Sequence, residues 1–202
     1  MDIQVANNNK KEPANTIFSV VMHRFGEYGY NKTTMAEIAR DANMSAANIY
    51  RYFRNKEAIA VTCVTNIMRE RIELLNSVVN EPGLSAVSKL EKYIMTTLEA
   101  TQSKANENKK IDEICTEITK HRPDIVHDKI KAEVKLISEI LQYGNNTGEF
   151  NVINIDQTAS SIHAMLVVFD VPMFMHLYSE EEFEQKARSA VNILVAGICN
   201  RE

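Results

Sequence analysis

The side chains best placed for surface chemistry lie between Thr33 and Lys56, in the stretch TTMAEIARDANMSAANIYRYFRNK. Arg51 carries a fork of donors that fits the paired acceptors of guanine, and the Asn48 amide fits adenine. The methyls of Ala46 and Ala47 suit the thymine methyl. Asn48 and Arg51 can equally be spent on the phosphate backbone alone. Thr33, Thr34 and Ser45 stand at helix starts, where free backbone N–H groups and the helix dipole favour a phosphate. Plain capping explains these three just as well. Lys56 falls in the first turn of the next helix, where a cation opposes the dipole, and a bound phosphate would remove that conflict. The chemistry on offer is that of double-stranded DNA.

Short elements must hold these groups out. Thr34 can cap a helix with Glu37 three residues on as the capping-box partner, and Met35, Ile38 and Ala39 give that helix one apolar stripe. The run Asp41-Ala42-Asn43-Met44 breaks it, with Asn43 able to take the left-handed conformation of a tight turn. Ser45 caps the second helix, which turns Ile49 and Phe53 inward and leaves Asn48, Tyr50, Arg51 and Tyr52 outward. So short a helix is unstable alone and needs bracing. The pattern predicts a helix-turn-helix whose second helix enters the major groove. An earlier helix over 13–28 supplies the brace, so Ile17, Val21, Phe25, Ile38, Ile49 and Phe53 are the expected core of a three-helix head.

The remainder also reads as helices. Asn55 can cap a long fourth helix reaching about residue 79, stopped by Glu81-Pro82-Gly83. Further helices are predicted near 85–103, 109–120, 123–143, 156–177 and 180–200. Pro123 begins one of them, Asn145-Asn146-Thr147-Gly148 forms a loop, and Ser179 with Glu182 makes another capping box. Pro172 is expected to kink the penultimate helix. The fold class is therefore all-α. The expected division is a flexible arm over 1–12, a DNA-binding domain over 13–60, and an effector-binding and dimerisation domain over 61–202.

Composition bounds the alternatives. The chain has 202 residues, is 45% hydrophobic and 25% charged, and has a net charge of −4, ordinary for a globular protein. Its first 60 residues hold eight Lys/Arg and six Asp/Glu, and the other 142 hold 15 and 21, so positive charge gathers where the helix-turn-helix lies. No run approaches the roughly 18 apolar residues of a membrane span, and the N-terminus lacks the layout of a secretory signal. A cytoplasmic protein with no membrane partner is expected. Three widely spaced cysteines are an odd number and fit reduced thiols in or near a helical core. The five histidines show no paired metal spacing, and no nucleophile elbow or glycine-rich phosphate loop is present. Neither a metal, a cofactor nor an enzyme activity is expected.

Residues 17–57 resemble the N-terminal domain of the TetR family of bacterial transcriptional regulators. The resemblance is carried by Phe25, Gly29-Tyr30, Thr33-Thr34, Ile38-Ala39, Ala42, Ser45, Ile49-Tyr50, Tyr52-Phe53 and Lys56-Glu57. Asn43 and Ala47 depart from the glycines common there. Beyond residue 60 only the helix pattern and Gly148-Glu149-Phe150 look familiar. The resemblance implies about nine helices, a DNA-binding head and a larger regulatory body. It also implies phosphate contacts at Tyr50 and Tyr52, a homodimer built on the last two helices, and an effector pocket in each body.

On the helices that the family places around that pocket stand Met68, Ile94, Leu98, Ile118, His121, Ile137, Leu141, Met165 and Phe169, with Ile67, Tyr93 and His163 nearby. Ordinary core packing accounts for most of them. The apolar segment MLVVFDVPMFM at 165–175, which includes Phe169 and Met173, carries more greasy surface than one chain can bury when joined with Phe183, Ala187, Ala190, Val191, Leu194 and Ile198. These are the expected dimer residues. Asp170, inside that segment, needs a partner if buried. The function expected is a dimeric repressor on a near-palindromic operator, released by a small apolar or amphipathic effector. The alternatives are a ligand-independent or partner-controlled regulator, and a helical enzyme or carrier.

Overall fold

The computed structural model describes residues 5–107 and 109–199, with side chains from 17–105, 110 and 114–199. Among the described residues ten α-helices follow one another: α1 Val5–Tyr28, α2 Met35–Asp41, α3 Ala46–Tyr50, α4 Lys56–Val79, α5 Ala86–Glu107, α6 Lys109–His121, α7 Pro123–Thr147, α8 Ile155–Met165, α9 Val167–Asp170 and α10 Glu180–Ile198. A 3₁₀ turn, Pro172–Phe174, separates α9 from α10. Among the described residues there is no strand, only an isolated antiparallel bridge between Phe150 and Cys199. The all-α expectation holds.

Two compact units form, Met1–Ile67 with Asn108–Pro123, and Met68–Glu107 with Asp124–Glu202. They are drawn differently from a cut at residue 60, because α6 joins the first unit: Ile114 and Ile118 are buried there. In that unit Ile17, Val21, Phe25, Ile38 and Ile49 are all fully buried, while Phe53 is half-buried. Arg24 on α1 is buried too, and its guanidinium meets two carboxylates of α2, Glu37 at 2.7 Å and Asp41. This double pair fixes α2 against α1.

Local chemistry sets the helix ends. Thr34 and Glu37 form both arms of the capping box, with Glu37 N–H donating to Thr34 Oγ1 at 3.3 Å and Thr34 N–H donating to Glu37 Oε2 at 2.8 Å. Asn43 takes φ 53°, the left-handed turn between α2 and α3. Ser45 Oγ accepts from Asn48 N–H at 3.2 Å, and Asn55 Oδ1 accepts from Ala58 N–H at 2.8 Å.

Several boundaries differ from the sequence reading. Residues 5–12, expected as a polar arm, continue α1, and Lys10, Lys11 and Glu12 are indeed good helix formers. Residues 1–4 of that arm lie outside the described residues. The Asn145-Asn146-Thr147 segment is the last turn of α7 rather than loop, because Asn145 is held from both sides by Val152: its Nδ2 donates to Val152 O at 2.8 Å and its Oδ1 accepts from Val152 N–H at 3.0 Å. The expected kinked helix over 156–177 is instead three pieces. Val171, the residue before Pro172, is extended at φ −113° and ψ 116°, as crowding by the proline ring demands.

The second unit is built around Leu75, Leu90, Ile94, Leu98, Ile137, Ile140, Leu141, Ala159, Ile162 and Phe183. Lys89, itself buried, donates to Val79 O and Glu81 O, both at 2.6 Å, and so closes the end of α4.

Candidate functional site

The recognition element, α3, is five residues long and is held by one fully buried side chain, Ile49. Every other position faces outward to some degree. Ser45, Ala46, Ala47 and Arg51 are exposed, Tyr50 and Tyr52 are 54% and 37% exposed, and Asn48 is half-buried. The Arg51 guanidinium makes no hydrogen bond or ion pair among the described residues. It is a presented donor fork with nothing among the described residues to satisfy it.

Three expected phosphate groups are also bonded within the chain. Thr33 is 1% exposed; its hydroxyl donates to Gly29 O at 2.9 Å and its N–H to Tyr30 O at 3.2 Å. Thr33 thus locks the turn after α1, whose Gly29 takes φ 85°, with both its donors spent inside the chain. Thr34 is exposed, but its N–H and hydroxyl both donate to Glu37 Oε2 at 2.8 Å. Lys56 is half-buried, donates to Tyr30 O at 2.8 Å and lies 4.2 Å from the Tyr30 ring centroid. Burial lowers its pKa from the usual lysine value. Its charge is thus fixed in place beside the α4 N-terminus rather than free to search.

Five of the nine expected effector residues share one core. Ile94, Leu98, Ile137, Leu141 and Phe169 are closely packed core of the second unit. Ile118 belongs to the first unit, on α6. The His121 side chain is 69% exposed and pairs with Glu117 one turn back at 3.3 Å, so it cannot orient a buried ligand. Met165 is 58% exposed, and Met68 is half-buried.

The expected dimer residues divide as well. Phe169, Phe183, Ala187 and Val191 are buried within their own chain, and Ala190, Leu194 and Ile198 are half-buried. Those on α10 form a single stripe that packs on α5, with Phe183, Ala187 and Val191 along its buried centre. Met173 does remain open at 67% exposure, with Ile193 at 73%.

What the sequence reading missed is a buried ionic cluster in the second unit. Arg71 of α4 donates to Asp170 Oδ1 at 2.5 Å, Thr97 O at 3.2 Å and Thr101 Oγ1 at 3.1 Å. Lys129 bridges Glu133 Oε2 at 2.9 Å and Asp170 Oδ2 at 2.5 Å, and His163 Nε2 lies 3.0 Å from Glu133 Oε2. Burial pushes the Glu133 carboxyl up, but His163, Lys129 and Arg71 together outweigh it and hold it below the usual value. Burial, with Glu133 and Asp170 beside it, pushes the Tyr93 phenol up. Local signals of this cluster were Lys129 and Glu133, one helical turn apart, and the lone acid Asp170 in an apolar run. Asp170 thus has its partners, Arg71 and Lys129.

The fold and the α3 surface define a helix-turn-helix DNA-binding protein. Residues 17–63 match the tetR family of bacterial regulatory proteins, and residues 86–191 match the tetracyclin repressor-like C-terminal domain. The second match alone spans more than half of the chain, which therefore belongs to the TetR family of transcriptional regulators. It is a DNA-binding regulator, not an enzyme. Over 92% of its length it is 23% identical to the fatty acid metabolism regulator protein of Bacillus subtilis, of which 95% is covered. A Mesorhizobium loti structure assigned to the same family superposes with a TM-score of 0.77 at 17% identity, covering 94% of this chain and 98% of that one. The fatty acid degradation regulator FadR of Bacillus halodurans superposes with a TM-score of 0.67 at 17% identity, covering 90% and 94%. No helix among the described residues is long and apolar enough to cross a membrane.

Proposed function

We propose that the chain acts in the cytoplasm as a homodimeric repressor that binds a near-palindromic operator and leaves it when a small amphipathic effector enters the body. The observation that carries the DNA-binding part is Arg51, exposed and without a partner among the described residues, on an outward α3 face anchored by Ile49. Ser45, Ala46, Ala47, Asn48, Tyr50 and Tyr52 share that face, with Lys56 and Thr34 as backbone contacts. Dimerisation is supported by apolar groups left open near the chain's end, namely Met165, Met173, Leu177 and Ile193. Two relatives are named for fatty acid metabolism and degradation, which supports an acyl-chain effector. Such a chain would lie among Ile94, Leu98, Ile137, Leu141 and Phe169, where the core must open to admit it. Release requires the effector to prefer a body conformation that DNA disfavours.

The test is footprinting on DNA upstream of the chain's own coding region, with and without dodecanoyl-coenzyme A. Two symmetric protected half-sites about one helical turn apart are expected, with protection lost on adding the thioester. Asymmetric protection would end the dimer reading. Because the second unit is closely packed, a ligand-independent regulator is the second reading. A melting temperature unmoved by the thioester would favour it.

A further inference from the structure

Arg71, Lys129, Glu133, His163 and Asp170 contribute two cations, two carboxylates and an imidazole to the second unit. Ion pairing accounts for much of this, yet two features remain unexplained by it. Glu133, His163 and Asp170 each offer one ligand atom, all within 4.8 Å of one another. Thr97 is 4% exposed, and its Oγ1 has no hydrogen-bond partner among the described residues. Both features border one cavity, shared with Tyr93, Ile137 and Leu166, of about 10 Å³. That is room for about one water or one ion, and no organic ligand fits it.

We propose that this cavity is a divalent transition-metal site, ligated by Glu133, His163 and Asp170 and completed by the Thr97 hydroxyl or a water. One imidazole with two carboxylates suits zinc, manganese or ferrous iron, whereas magnesium favours oxygen ligands and retained waters. Glu133 Oε2 and His163 Nε2, 3.0 Å apart, already lie near the about 3.4 Å that separates neighbouring ligands on a tetrahedral zinc with bonds of about 2.1 Å. In the metal-free protein the Lys129 ammonium is the resident cation, seated between the two carboxylates it bridges. Its side chain is 14% exposed on a flexible stem, so it can swing into water when the ion arrives. Arg71 stays, since Thr97 O and Thr101 Oγ1 also hold it.

The test is calorimetric titration of the metal-stripped full chain with zinc chloride and with magnesium chloride, alongside thermal melting. One zinc per chain is expected, with magnesium much weaker. His163→Gln should weaken zinc by about tenfold or more. Lys129→Gln distinguishes a site from mere packing: its metal-free form should melt below the wild type, zinc should restore it, and its zinc affinity should rise about tenfold. Zinc affinity in Lys129→Gln at or below that of the wild type overturns the proposal. So does binding that survives His163→Gln but disappears in His121→Gln, which would put the ion on the exposed Glu117–His121 pair.

Discussion

Replacing Arg51 by alanine isolates sequence reading from every other property of the protein. Its guanidinium is exposed and has no partner among the described residues, so the change should alter stability by no more than about 0.5 kcal/mol. Loss of a bidentate guanine contact costs about 1–3 kcal/mol. The proposed symmetric dimer would present Arg51 to both half-sites, so the operator complex should lose about 2–6 kcal/mol, or about 30- to 20,000-fold. Phosphate attraction is indifferent to sequence, so a scrambled duplex should lose far less. Fluorescence anisotropy with the footprinted operator and its scrambled counterpart, at one fixed salt concentration, measures both. Equal losses on the two duplexes would refute base reading by Arg51 and leave it as a phosphate contact.

Lys56→Ala should weaken operator and scrambled DNA alike and lower the salt slope of binding by about 0.9 per head; an unchanged slope removes its phosphate role. Gly144→Ala should destabilise the chain by about 1–2 kcal/mol in urea titration, because overpacking outweighs a helix-propensity gain of about 1 kcal/mol. The added Cβ would lie 2.1 Å from Phe150 Cδ2 and 2.5 Å from Cγ in the packed ring, and an alanine variant as stable as the wild type would contradict that packing. Acid should loosen the first unit. Hydrogen bonding from Arg24 holds the Asp41 carboxyl below its usual value, and the Thr34 backbone N–H does the same for Glu37. Lowered folded values mean this stability is present above the ordinary carboxylate pKa of about 4 and is lost as pH falls through the folded values. Urea midpoints between pH 6 and pH 3 should therefore fall less in Arg24→Met than in the wild type.

Chain order was enough to determine the helix-turn-helix, because its signals act across three or four residues. The Thr34–Glu37 box, the left-handed Asn43, the Ser45 cap and the inward Ile49 are each settled by neighbours along the backbone. The TetR resemblance rests on that same contiguous stretch. Phe53 marks the limit of this reading, since how deeply it sits depends on what covers it.

Packing alone decided the rest. Thr33 and Thr34 are adjacent and chemically identical, yet the turn at Gly29 buries one and exposes the other. The apolar stripe of α10 serves equally well as a monomer core or as an interface, and contact with α5 buries Phe183, Ala187 and Val191 while Ala190, Leu194 and Ile198 stay half-buried. Arg71 and Asp170 are 99 positions apart and meet only because folding brings α4 and α9 together. No period in the sequence marks such a pair: charge attraction in a low-dielectric interior depends on distance in space, which the order of residues does not encode.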